Sequence, residues 1–102
     1  MSLKKTELKS KKYKVSFKIS AEDANQFSSA SLVGDFNNWD ASKDQMKKLK
    51  KDGSFSIQKT FESGKEYQFK YVLDKENWIN EPEADKLVAT QFADSQNCVV
   101  ML

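Results

Sequence analysis

Two neighbouring segments in the second half of the chain alternate apolar and polar side chains with a period of two residues. The apolar members are Phe55, Ile57 and Phe61 in the first segment and Tyr67, Phe69, Tyr71 and Leu73 in the second. Because successive side chains of a β-strand point to opposite faces of the sheet, this alternation predicts two strands that each bury one face. Lys59 interrupts the apolar face of the first segment, so we expect it near the edge of that face.

Shorter segments of the same character flank this pair. Val15, Phe17 and Ile19 alternate with polar residues, and further strands are expected at residues 30–34, 46–50 and 98–102 and near Trp78. Asp52 and Gly53 form a strong hairpin-turn signal. Pro82 argues against a central strand in residues 80–94, and residues 20–27 are expected to form a loop. About seven short strands separated by turns predict an all-β fold, an immunoglobulin-like β-sandwich of antiparallel strands.

The start of the chain is rich in lysine, with Glu7 as the one acidic residue among the first twelve. We therefore expect residues 1–12 to be a flexible basic tail and residues 13–102 to be a single domain. No apolar stretch approaches the roughly 20 residues that cross a bilayer, and no apolar region follows the basic start as it would in a secretory signal. The simplest interpretation is a cytoplasmic protein, and the alternative is a piece of a longer, exported chain.

Charge argues against a nucleic-acid partner, and the lack of an apolar span predicts no membrane partner. The net charge is only +2, and every basic residue is lysine. Arginine supplies the bidentate contacts that recognise bases and phosphates, so its absence disfavours a nucleic-acid partner.

The residues that usually perform catalysis are scarce. The chain has no histidine, its three glycines are scattered, and its one cysteine, Cys98, lies in an apolar run where a small core residue is expected. Five acidic residues fall in or beside expected turns, where solvated carboxylates are ordinary: Glu62, Glu66, Glu76, Glu81 and Glu83. We therefore predict no catalytic residue, no metal, no cofactor and no enzymatic activity.

Two tryptophans stand beside polar loops rather than in the middle of strands. Trp39 follows the turn signal Asn37-Asn38, and Trp78 follows the turn at residues 74–77. Both could be packing residues at the rim of the core, and Lys70 could be an ordinary solvated strand residue. The alternative is a sugar site, because a pyranose ring lies flat on an indole face while nearby polar side chains bind its hydroxyls. Strand parity places Lys70 opposite the apolar face.

Several ordered blocks resemble the family 48 carbohydrate-binding modules, which include the glycogen-binding domain of the AMP-activated protein kinase β subunit and the early-set domains of isoamylases and branching enzymes. Residues 31–39 (SLVGDFNNW) resemble the family's GxFNNW segment, and residues 64–74 (GKEYQFKYVLD) resemble its second strand and turn, with one extra residue before Trp78. Residues 78–82 (WINEP) resemble a W-x-x-D-P pattern with Glu81 in place of aspartate, and residues 97–100 (NCVV) resemble the last strand.

The resemblance implies a sugar platform made by Trp39, Lys70 and Trp78. The family also contacts sugar through a loop before the last strand, and the corresponding positions are Phe92, Asp94, Gln96 and Asn97. These loop residues differ from the kinase-subunit pattern. Asn37 and Asn38 are expected to form the turn rather than to contact sugar.

The same resemblance implies a non-catalytic module that binds an α-glucan such as glycogen, starch or a maltooligosaccharide. Most relatives precede a catalytic barrel or belong to a kinase complex, so a glycogen-metabolism enzyme, such as one of glycoside hydrolase family 13, is a further candidate partner. A second hypothesis is an early-set protein–protein interaction module that has lost sugar binding. A third is an electrostatic tether through the basic tail.

Overall fold

The computed structural model describes residues 2–24, 27–74, 77–89 and 96–102. These residues form nine strands and one turn of α-helix. In chain order they are β1 (Ser2–Leu8), β2 (Lys12–Ile19), α1 (Ala21–Ala24), β3 (Ala30–Gly34), β4 (Lys47–Lys48), β5 (Phe55–Glu62), β6 (Glu66–Leu73), β7 (Asn77–Ile79), β8 (Lys86–Ala89) and β9 (Gln96–Met101). All pairings between these strands are antiparallel.

The strands form two sheets. Sheet I has the order β1-β2-β5-β4, and sheet II has the order β3-β6-β9-β8 with β7 added to β6. The predicted all-β sandwich is therefore confirmed.

Aromatic residues of β2 and β6 lie between the two sheets. Phe17 of sheet I meets Phe69 and Tyr71 of sheet II at ring-centroid separations of 5.2 and 6.5 Å, both edge to face. Edge-to-face pairs of this kind add about 0.5–1.5 kcal/mol each beyond the apolar area that they bury. Cys98 is also fully buried in this core, as expected from its apolar run.

The start of the chain differs from the flexible tail expected for residues 1–12. Ser2–Leu8 forms β1 and pairs along its whole length with β2, from Ser2 opposite Lys18 to Leu8 opposite Lys12. Leu3 packs against the core, and the ammonium group of Lys5 binds the carboxylate of Asp85 at 2.5 Å. The segment is thus an edge strand of sheet I, and these two contacts explain why it is held there.

Removal of β1 is therefore expected to destabilise the domain. A chain that begins at residue 10 should lose about 2 kcal/mol of free energy of unfolding, because it loses the half-buried Leu3 side chain and seven cross-strand pairs. Urea denaturation followed by tryptophan fluorescence measures this loss. Lys4→Gln is the control, since it removes one charge and leaves the strand in place. Equal urea midpoints for the shortened and full chains would contradict a stabilising edge strand and would support a flexible tail.

Two smaller elements were not expected. Residues 20–27, expected to be a loop, contain the single helical turn α1. The irregular stretch expected at residues 80–94 contains the edge strand β8, which starts after Pro82 and so avoids its missing N–H group. Within the described residues, the structure contains no helix that is long and apolar enough to cross a membrane.

Candidate functional site

The outer face of sheet II carries the polar residues of β6. Because Phe69, Tyr71 and Leu73 point into the core, alternation directs Gln68 and Lys70 to the outer face. Val33 of β3 lies directly opposite Lys70 and shares this face.

Trp78 joins the same face from the other side of β6. It lies opposite Val72, whose parity is that of Lys70, so the indole and the lysine are diagonal neighbours, a relation that separates Cα atoms by roughly 7–8 Å. Residues 71–73 of β6 pair with both β3 and β7, and a strand has only two edges. Lys70, one residue before this stretch, therefore has β3 on one side and the end of the Trp78 strand on the other. The Trp78 side chain is 49% exposed, which is unusual for so large an apolar group.

Trp39 follows β3 through a tight turn. A 3-10 turn at Asp35–Asn37 continues directly from Gly34, and the N–H of Trp39 donates to the Gly34 carbonyl at 3.1 Å. Trp39 is thus tied to the residue next to Val33, the cross-strand neighbour of Lys70. The turn needs Gly34, because a Cβ there would overlap the carbonyl oxygen of Gln68.

The backbone of Trp39 has a left-handed conformation. Its φ is 59°, and that of Asn38 is 56°. Two successive non-glycine residues in this region cost free energy, of order 1 kcal/mol each. Asparagine tolerates the conformation readily, but tryptophan does not, so the surrounding structure must hold it.

Asn37 is the residue that holds this turn. Its Oδ1 accepts from the Gly34 N–H at 3.0 Å, and its Nδ2 donates to the Leu32 carbonyl at 2.9 Å and to Asp44 Oδ2 at 2.7 Å. Asn37 is buried, and the expectation that it forms the turn is confirmed.

Asp44 extends this network to Lys59, the residue that interrupts the apolar face of β5. The Lys59 ammonium lies 2.7 Å from Asp44 Oδ1 and 5.3 Å from the ring centre of Phe36. Burial alone would raise the pKa of Asp44, but the hydrogen bonds from Lys59 and Asn37 outweigh it and the pKa is lowered. The Asp44 carboxyl is thus held ionised beside the Lys59 ammonium.

The strand before the chain end contributes an amide. Asn97 of β9 donates its Nδ2 to Gln68 Oε1 at 3.0 Å, which places it on the outer face with Lys70. Gln96 is exposed but has the opposite parity, so the structure does not place it on that face. Phe92 and Asp94 lie outside the described residues.

Behind this face lies a buried polar cluster that the sequence analysis missed. Glu81 was expected to be a solvated turn residue, and this expectation was wrong, because the residue is 1% exposed. Its Oε1 accepts from the Tyr71 hydroxyl at 2.8 Å, and its Oε2 accepts from the Glu83 N–H at 3.1 Å. The Glu81 N–H donates to Cys98 Sγ at 2.9 Å.

Burial and the Glu81 carboxylate both raise the pKa of Tyr71, and burial raises that of Cys98. Both groups therefore stay protonated at neutral pH, and Tyr71 serves as a donor to Glu81. The cluster ties β6 to the chain just after β7, and so supports the strand that carries Trp78. The signal for this cluster in the sequence is the inward parity of Tyr71, because a buried hydroxyl needs a partner such as Glu81.

Among the described residues, no group of three or more acidic, cysteine or histidine side chains is arranged to hold a metal ion. The outer face of sheet II instead combines an exposed indole, an ammonium group and amides. A β-sandwich that presents such a surface on one sheet is typical of a ligand-binding domain.

A family model narrows this class. The model described as carbohydrate-binding module 48 (isoamylase N-terminal domain) matches residues 4–93. The chain therefore belongs to this family of carbohydrate-binding modules. No curated protein matches the chain.

The matched range separates the candidate residues into two groups. Trp39, Lys70, Trp78 and Phe92 lie within it, whereas Asp94, Gln96 and Asn97 lie beyond its end. The range also begins inside β1, the strand that the sequence analysis expected to be a tail.

Proposed function

We propose that this domain binds α-glucan without catalysis, through a platform made by Trp39, Lys70 and Trp78. The observation that carries the proposal is the shared outer face of Lys70 and Trp78, on adjacent strands, with the indole half exposed. Because the chain belongs to a family of carbohydrate-binding modules, we take a sugar as the ligand of this surface. Glycogen, starch and maltooligosaccharides are the proposed ligands.

The chemistry of the face suits a sugar. The apolar C–H groups of a pyranose pack on an indole ring, while its hydroxyls need donors and acceptors at the ring edge. Lys70 supplies a donor beside Trp78, and the amides of Gln68 and Asn97 lie along the same face. Successive glucose units can therefore alternate between ring stacking and polar contact.

The strained backbone of Trp39 supports its role in the platform. A smaller residue at positive φ would form the turn equally well, so the turn itself does not explain the tryptophan. Strain of this kind concentrates where a side chain must point in a required direction. A second stacking surface on the β3 side of Lys70 accounts for it.

Among the candidates in the loop before β9 and at the start of β9, we assign the most direct sugar contact to Asn97, because it shares the face of Lys70. Phe92 and Asp94 remain candidates through the family resemblance, and Gln96 is a weaker one because of its parity. A cytoplasmic site of action and association with a glycogen-metabolism enzyme of glycoside hydrolase family 13 belong to the same proposal.

Titration with maltoheptaose and glycogen, followed by tryptophan fluorescence, tests the proposal. A saturable change is expected, and Trp39→Ala and Trp78→Ala should each weaken binding by roughly tenfold or more, as base-stacking aromatics do on truncation. Lys70→Gln should weaken it less, because the glutamine amide still offers a hydrogen-bond donor and only the charge is removed.

Leu87→Ala is the matched control. Leu87 is 48% exposed, almost the same fraction as Trp78. It lies opposite Cys98, however, and so has the inward parity. It should leave glucan affinity unchanged. The absence of any saturable change, with Trp39→Ala indistinguishable from wild type, would reject the sugar site and favour the protein-interaction alternative.

A further inference from the structure

The opposite side of the sandwich, the outer face of sheet I, is rich in lysine. Val15, Phe17 and Ile19 point into the core, so the alternate residues of β2 and their cross-strand partners face solvent. The cations of this face in β1, β2 and β4 are Lys4, Lys12, Lys14, Lys18 and Lys47.

Lysines and small polar residues alternate across the strands. Lys4 lies opposite Ser16, which makes Lys14 and Lys18 its diagonal neighbours at roughly 7–8 Å. Lys18 and Lys47 lie on the two sides of Ser56, which puts them two strand spacings, roughly 9.5 Å, apart. The cations thus lie roughly 7–10 Å apart on one face of the sheet.

Most of these charges have no close partner among the residues that the structure describes. Lys4, Lys14 and Lys47 form no ion pair with any described residue, and Lys18 reaches Asp52 only at 4.0 Å. Lysines elsewhere, such as Lys5, Lys59 and Lys86, bind carboxylates at 2.5 to 3.1 Å. Unpaired like charges within a Debye length of about 10 Å repel each other, so an anion that covers this face relieves the repulsion and lowers the free energy.

A shallow groove of about 470 Å³ crosses the face among these lysines. Lys4, Lys18 and Lys47 line it together with Ser16, Ser56 and Gln58. It therefore offers cations and neutral hydrogen-bonding groups side by side.

We propose that this basic groove binds an extended acidic segment of a partner protein. Every second side chain of an extended chain falls roughly 6.8 Å apart on one face, close to the separation of Lys4 from Lys18. The longer step of roughly 9.5 Å from Lys18 to Lys47 is spanned by the long lysine and acidic side chains. A segment with acidic residues at alternate positions can therefore place one carboxylate at each ammonium. The serines and Gln58 then bind its backbone.

The other polyanions fit this surface less well. Nucleic acid and neutral sugar both need a stacking ring on the surface. Phe17 and Ile57 also line the groove, but both pack into the core, and the side chains that parity directs outward are lysine, serine and glutamine. A planar anionic bilayer would bring Asp52 and Glu62, which border the face, against its headgroups. A peptide that occupies only the groove avoids both carboxylates.

The groove and the sugar platform lie on different sheets, so their ligands do not compete. Charge-removing variants of the groove are therefore expected to keep glucan binding, and failure of either function leaves the other intact.

Fluorescence anisotropy with a labelled octapeptide that alternates glutamate and serine tests the proposal on the full chain. Saturable binding in 20 mM salt is expected, and it should disappear by 0.5 M salt, because screening weakens exposed ion pairs. The triple variant Lys4→Gln/Lys18→Gln/Lys47→Gln should bind at least roughly tenfold more weakly, the sum of three exposed lysine–carboxylate pairs. An octapeptide that alternates glutamine and serine should not bind.

The control triple Lys43→Gln/Lys50→Gln/Lys51→Gln removes the same charge from exposed turn positions outside the groove. It should change affinity by less than about twofold, and thermal unfolding should confirm that both triples fold. Equal losses in the two triples, or no binding at low salt, would overturn the proposal. So would tighter binding to vesicles containing 30% phosphatidylserine than to the peptide, which would assign the face to a membrane.

Discussion

Replacement of Glu81 by alanine is expected to lower the free energy of unfolding by about 3–5 kcal/mol. The carboxylate is buried and accepts from the Tyr71 hydroxyl at 2.8 Å and from the Glu83 N–H at 3.1 Å. Alanine would leave the tyrosine donor unpaired in the core, where such a group costs about 1–3 kcal/mol, and would add a cavity. Urea denaturation of wild type and variant measures the loss.

A double-mutant cycle separates the hydrogen bond from the lost volume. Tyr71→Phe removes the donor, so in the Tyr71→Phe/Glu81→Ala variant no hydroxyl is left unpaired at this position. The double variant should therefore lose less than the sum of the two single losses, by about 1–3 kcal/mol. Glu83→Ala, two residues further on and exposed, is the control and should cost little. Additive losses would show that the two side chains are not coupled.

The same variant should affect the sugar platform. Glu81 fixes the chain two residues after the end of β7, the strand that carries Trp78. If the proposed function is correct, Glu81→Ala should weaken glucan binding even in conditions where the domain remains folded.

The strands that alternate clearly could be predicted from sequence. β2, β5 and β6 each bury one face, and their core residues were identified by parity alone. Parity also placed Lys70 on the outer face, so the side of the sheet on which Lys70 lies could be predicted from the sequence.

β1 escaped prediction because its pairing is decided by distant partners. Its inward positions include Lys5, which bonds to Asp85, eighty positions along the chain. A lysine at an inward position masks the period of two, and an ion pair of such long range cannot be inferred from local pattern. Glu81 escaped because its burial depends on a hydrogen bond across the fold, from the Tyr71 hydroxyl ten positions earlier, which no alternation of apolar and polar residues reveals.

The candidate site was predictable in part. The resemblance pointed to Trp39 and Trp78, but it did not indicate that Trp39 sits at positive φ or that β3 and β7 flank β6. Asn97 and Gln96 are adjacent in sequence, and only the strand register separates their faces.

Replacement of Asn37 by alanine should have an effect of similar size to that of Glu81→Ala, about 3–4 kcal/mol of free energy of unfolding. The side chain makes three hydrogen bonds, to the Gly34 N–H, the Leu32 carbonyl and Asp44. Alanine leaves these groups without their partner at a buried position, where each costs about 1 kcal/mol or more.

The turn that Asn37 holds also orients Trp39, so stability and glucan binding should fall together in this variant. Asn38→Ala is the matched control, because it makes the same truncation at an exposed neighbour with positive φ and should cost only about 1 kcal/mol. Chemical denaturation and glucan titration on both variants distinguish the two effects. A large loss of affinity in Asn37→Ala at temperatures where the domain is folded means that the turn, rather than the indole alone, builds the platform. Unchanged affinity would mean that Trp39 keeps its orientation without Asn37, through its own contacts with the sheet.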